Sequence, residues 1–141
     1  MIKQPVMIQI KAFQHYEEME QDKIGFLSAG TLCPTPFVWE LSYQESALTG
    51  MEGTTTTFLI EKQRVTLLRT GPVCSQMVFE EGRRHHSMYN TPYGAMEILV
   101  STSHLAAQMG PEGGSLEIDY AIELDHALMG QNHFRITVRK K

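Results

Sequence analysis

Little in this chain favours metal or disulfide chemistry. Its 141 residues include only two cysteines, Cys33 and Cys74, which lie far apart with no CxxC spacing and no paired histidine motif. That pattern argues against a zinc site and a disulfide framework, and leaves both as free thiols. Long apolar runs are also missing. None approaches the ~18 residues that a membrane-spanning helix requires, and no membrane partner is expected. Basic charge is scarce: 12 Lys and Arg stand against 16 Asp and Glu, for a net charge of −4. Nucleic-acid affinity comes mostly from clustered cations, so no nucleic-acid partner is expected. The short clusters Arg83-Arg84 and Arg139-Lys140-Lys141 read as solvated surface. Met1 to Phe13 shows no basic start followed by an apolar block, so no signal peptide is visible and a cytoplasmic protein is expected.

What the chain does have is alternation with period two, the mark of strands with one buried face. From Leu116 to Leu124, the residues Leu116, Ile118, Tyr120, Ile122 and Leu124 share one face, and Glu117, Asp119, Ala121 and Glu123 take the other. The same parity runs through Val6 to Ile10, Phe37 to Leu41 and Phe134 to Val138. Turn-forming residues punctuate these runs: Gly50 to Gly53, Glu61 to Gln63, Gly71-Pro72, Glu81-Gly82, Pro92 to Gly94, Gly110 to Gly114 and Gly130 to Asn132. A spacing of about a dozen residues is the rhythm of an all-β sandwich or barrel. Connections this short permit hairpins and exclude parallel crossovers.

The expected fold is therefore an all-β antiparallel meander of about eight to ten strands, forming one domain over residues 1–141. Closure into a barrel is preferred because it alone removes exposed sheet edges; a two-sheet sandwich is the alternative. Two short helices are allowed for, over His15 to Asp22 and over Thr102 to Met109.

A set of landmarks then emerges. They are Tyr43-x-Glu45, Gly50-x-x-Gly53 followed by Thr54 to Thr56, Arg69-x-Gly71, Met77-x-Phe79 with Gly82, and Tyr89 to Gly94. Their order and spacing, over nearly the whole chain, resemble the YwiB-like family of small bacterial proteins of unknown function. The resemblance implies a calycin-type barrel, lipocalin-like in shape, in bacterial cytoplasm. It implies no activity, and fold likeness alone does not supply one.

Candidate site residues come from polar side chains that share parity with apolar runs. Phe37, Trp39 and Leu41 are followed on one face by Tyr43 and Glu45; Val65 and Leu67 are followed by Arg69; His85 and Ser87 are followed by Tyr89 and Thr91. An inward arginine needs a partner. In one reading Arg69 anchors an anionic head group, with Tyr43 or Tyr89 beside it and Trp39, Leu67, Met77 and Phe79 lining an apolar pocket. A guanidinium suits a carboxylate because it offers two parallel donors. In the other, Arg69 and Glu45 form an internal ion pair that sets strand register, and the barrel is filled and acts through its surface as an interaction or structural module, with Val78 and Met88 facing outward. The run Thr54 to Thr57 suits a strand with two polar faces, although its alternate hydroxyls are placed to point inward.

Catalysis and cofactors have weaker support. His85 and His86 are adjacent and point to opposite faces, and no histidine spacing singles out a haem ligand. Ser87 beside His86 and Cys74 beside Ser75 form no nucleophile elbow. No metal and no cofactor is expected, haem being the less favoured alternative, and binding of a small hydrophobic or anionic molecule is expected over an enzymatic role.

Overall fold

The computed structural model describes residues 2–15, 22–35, 37–91, 94–124 and 127–141. Ten strands account for nearly all of them. The first five are β1 (Gln4–His15), β2 (Asp22–Pro34), β3 (Trp39–Gln44), β4 (Thr55–Ile60) and β5 (Val65–Thr70). The second five are β6 (Cys74–Phe79), β7 (Arg84–Thr91), β8 (Gly94–Gly110), β9 (Gly113–Leu124) and β10 (Ala127–Lys140). Every neighbouring pair is antiparallel, and β1 pairs with β10 from Val6↔Lys140 to His15↔Gln131, which closes the meander into a barrel. Closure sets aside the two-sheet alternative.

Alternation decides which side chains enter. On β1, Val6, Ile8 and Ile10 are buried; on β9, Leu116, Ile118 and Tyr120; on β10, Ile136 and Val138. Phe58, Phe79, Leu41 and Leu67 fill the middle of the barrel with at most 1% exposure. Phe37 departs from the expected inward run, lying before β3 and 89% exposed.

The helix expected over Thr102 to Met109 does not form. That segment lies inside β8 and pairs with β9 from Thr102↔Tyr120 to Met109↔Gly114. Eight residues gain little from an isolated helix, and here the neighbouring strand takes their backbone groups. A bulge between Thr102 and His104 interrupts the ladder. The other expected helix falls mainly on residues 16–21, outside the described residues. The expected turn at Gly130 to Asn132 lies within β10, marked by a register shift between Leu128 and Gln131. Among the described residues the helical element that does occur is a single 3-10 turn, Ala47–Thr49, started by the Ser46 side chain accepting from the Leu48 N–H and stopped by Gly50 at φ 74°. That left-handed conformation suits a residue without Cβ.

Candidate functional site

Cross-strand register sorts the inward residues of β3 to β6 into layers. At one end Trp39 pairs with Ile60, Ile60 with Val65 and Val65 with Phe79. Two residues along, the layer is Leu41, Phe58, Leu67 and Met77, again apolar and buried. Two residues further it becomes Tyr43, Thr56, Arg69 and Ser75. The third layer is polar throughout. Gly30 stands opposite Tyr43, and a Cβ there would collide with the Ser42 carbonyl oxygen and the Ile8 side chain. Glycine thus lets β2 approach closely where the Tyr43 ring turns inward.

Glu45, just past the end of β3, extends this layer. Its backbone N–H donates to the Thr54 carbonyl at 2.9 Å, and its carboxylate accepts from Thr56 Oγ1 at 2.5 Å and from Thr49 Oγ1, on the 3-10 turn, at 3.0 Å. The Tyr43 phenol lies beside Glu45 and Thr56. Burial pushes its pKa far up and the Glu45 carboxylate adds to that, with Arg69 and the Thr56 hydroxyl opposing, so it stays a neutral hydroxyl. Burial does the same to the Tyr120 phenol, again against the field of Arg69.

Arg69 is the unsatisfied member. Its Nε lies 3.9 Å from Glu45 Oε2, with the two side chains 12% and 1% exposed. This is attraction at ion-pair range, beyond hydrogen-bond length. The Nε is buried without a hydrogen-bond partner, and no hydrogen bond joins the guanidinium to any described residue. Leaving a buried charged donor unmade is among the costlier arrangements in a protein interior.

The polar layer opens into a cavity of about 430 Å³ at this mouth of the barrel. Ile10, Phe26, Tyr43, Tyr120 and Phe134 wall it around Arg69 and Glu45, and Ile24 and Leu48 form its exposed rim. Its floor is aromatic. Tyr120 lies 5.6 Å from Phe134 and 4.7 Å from Phe79, and Phe134 lies edge-on to Phe58 at 6.2 Å, all between ring centroids. Below this floor Leu41, Phe58, Leu67 and Phe79 are buried in the core.

Of the residues singled out from sequence, the structure brings Tyr43, Glu45 and Arg69 together at the mouth. Leu67, Met77 and Phe79 are core residues outside the cavity lining, and Trp39 sits at the opposite end beside Thr35 and Val38. The reason is height. Inward parity fixes the face of a residue, but each step of two residues moves it ~7 Å along the strand, so Trp39 stands two layers from Tyr43. Tyr89 pairs through its backbone with Ser75 and Met96; its side chain lies outside the described residues. His85 bonds Glu80 and His86 bonds Glu97, each at 3.1 Å. His104 lies between Glu81 and Glu117, and His133 bonds Asp119 at 2.8 Å. Among the described residues no cluster of His, Cys, Asp and Glu could hold a metal ion. Among them, too, no helix is long and apolar enough to cross a membrane.

Sequence reading missed Phe26, Phe134, Thr49 and Asn132 as lining residues. Phe134 and Tyr120 carried the right parity, but only closure of β1 on β10 shows that they meet Arg69.

A family model described as a domain of unknown function, DUF1934, matches residues 8–136. No curated protein matches the chain. Among solved structures, the ywiB protein from Bacillus subtilis is similar at TM-score 0.88 and 20% identity, over 99% of this chain and 93% of that one. At that identity the likeness concerns the fold.

Proposed function

We propose that this chain, which belongs to the DUF1934 family, binds a small amphiphilic acid at the barrel mouth, with the carboxylate on Arg69 and the apolar part against Phe26, Phe134 and the rim. The observation that carries this reading is Arg69, whose Nε is buried without a hydrogen-bond partner in a cavity walled largely by Ile10, Phe26, Tyr120 and Phe134. Glu45 does not take the Nε donor: its carboxylate accepts from Thr49 and Thr56 and stands 3.9 Å from Nε, beyond hydrogen-bond length. A cavity of 430 Å³ is at the small end of ligand pockets, and the aromatic floor stops a long tail. The acid is therefore short. Two free thiols, Cys33 and Cys74, suit a cytoplasmic setting.

Thermal melting with octanoate, phenylacetate and octanamide tests the idea. Octanoate at a hundredfold excess over its Kd is expected to stabilise the native barrel by ~2.7 kcal/mol. Octanamide is expected to do much less, and Arg69→Gln to abolish the difference. Absence of a shift from every acid, or equal binding by Arg69→Gln, would overturn the proposal.

A further inference from the structure

A second cleft, of about 600 Å³, lies on the outer wall where β6 meets β7. It exists because this seam is irregular. The two strands pair only at Cys74↔Asn90 and Ser75↔Tyr89, whereas β7 pairs with β8 all the way from Arg84↔Ser101 to Thr91↔Gly94. The hairpin closes with the Arg83 N–H donating to the Glu80 carbonyl at 3.0 Å. Between that closure and the Ser75↔Tyr89 rung, β6 contributes 76–79 and β7 contributes 84–88, one residue more on β7 (five against four). An extra residue on one strand breaks the ladder and bends it.

Arg69 lines this cleft as well as the mouth. Its register partner Ser75 lines it too, 8% exposed, with an Oγ that is buried and has no partner. Two unused buried polar groups on adjacent strands thus face one space. The hydroxyls of Thr70 and Ser87 and the amides of Gln76 and Asn90 supply neutral groups that hydrogen-bond to hydroxyls and carboxylates alike, and the lining also carries the Cys74 thiol and the exposed His86–Glu97 pair, 3.1 Å apart.

We infer that the seam cleft is a second ligand site, which presents the Arg69 guanidinium from the outside to small hydrophilic hydroxy-carboxylates, and that its occupancy excludes an acid at the mouth. Arg69 and Ser75 hold the carboxylate, and the neighbouring hydroxyls and amides take the ligand's hydroxyl. Exclusion follows from charge. A single guanidinium already stands near the Glu45 carboxylate, and two further carboxylates on that one cation would repel each other. The inference rests on the mouth reading in one respect, that Arg69 is the anion-binding group.

Calorimetric titration of the full chain with malate and with octanoate tests it. Wild type is expected to bind both, each abolishing the other at saturation. Ser75→Ala is expected to weaken malate about fivefold or more, the worth of one hydrogen bond, and to leave octanoate within about twofold. The variant removes an unpartnered hydroxyl, so folding is not at risk. Phe26→Trp, which narrows the mouth, is expected to do the reverse. Binding of octanoate without malate would overturn the second site and leave the mouth reading standing. Simultaneous binding of the two, or equal weakening of both by Ser75→Ala, would also overturn it. Binding of neither would remove both readings.

Discussion

At the closed end of the barrel the inward positions of β3 to β6 are Trp39, Ile60, Val65 and Phe79; at the mouth they are Tyr43, Thr56, Arg69 and Ser75. The strands, the ladder and the parity are the same, and the two layers stand ~13 Å apart. Backbone pairing is indifferent to the change, since every rung is made at both levels. What differs is the filling. The apolar layers gain from burial and close packing. The polar layer bears the desolvation of a guanidinium and a carboxylate that do not hydrogen-bond to each other. A layer built this way contributes little to stability, and the core beneath it allows it to persist. The contrast separates what holds the barrel from what gives it a binding surface.

The contrast breaks most visibly in the apolar half. Phe58→Ala removes a ring that is 1% exposed and packs edge-on against Phe134. Urea unfolding is expected to show a loss of ~3–5 kcal/mol. A loss below ~1 kcal/mol would mean that the layer is loosely packed and that the comparison fails at its base.

In the polar half the expected effect is smaller and conditional. Arg69→Leu deprives Glu45 of its counter-charge, but the carboxylate keeps the Thr49 and Thr56 hydroxyls. The loss is therefore expected at ~1–3 kcal/mol, short of the full cost of a stranded buried ion. Glu45→Gln on the same background is expected to recover at least half of it, because the stranded charge is then gone. Failure to recover would show that Arg69 acts through the packing of its alkyl stem.

The same contrast explains what could be read before any coordinates. Alternation over Val6 to Ile10 and Leu116 to Tyr120 announces strands and their buried faces, and the ten-strand meander follows. Thr102 to Met109 reads as a helix because Ala106, Ala107 and Gln108 favour one; it is a strand because β9 lies beside it. Tyr43, Glu45 and Arg69 are legible as polar residues on an apolar face. Their true neighbours are not, since Phe26, Tyr120 and Phe134 come from strands distant in sequence. Leu67, Met77 and Phe79 share the parity of a pocket but stand at the wrong height. Thr49 reaches Glu45 from a 3-10 turn that no periodicity marks.

The smallest effect is expected on the outside of β9, where Asp119 points away from the interior that Tyr120 enters. Burial pushes the Asp119 carboxyl up, but hydrogen bonds from Arg135 and His133 outweigh it and hold the group below the usual carboxylate range; both contacts are 2.8 Å long. A carboxyl depressed in the folded state stabilises fully above its unfolded value of about 3.9, and the stabilisation is lost as pH falls through the folded value. At neutral pH, Asp119→Asn is expected to cost less than ~1 kcal/mol, since the pair is partly solvated. Once pH has fallen through the folded value the wild-type carboxyl is itself protonated, so the two proteins are expected to converge in urea midpoint. A gap that stays constant across that range would show that the hydrogen-bonding shape of Asp119, rather than its charge, holds β9 against β10.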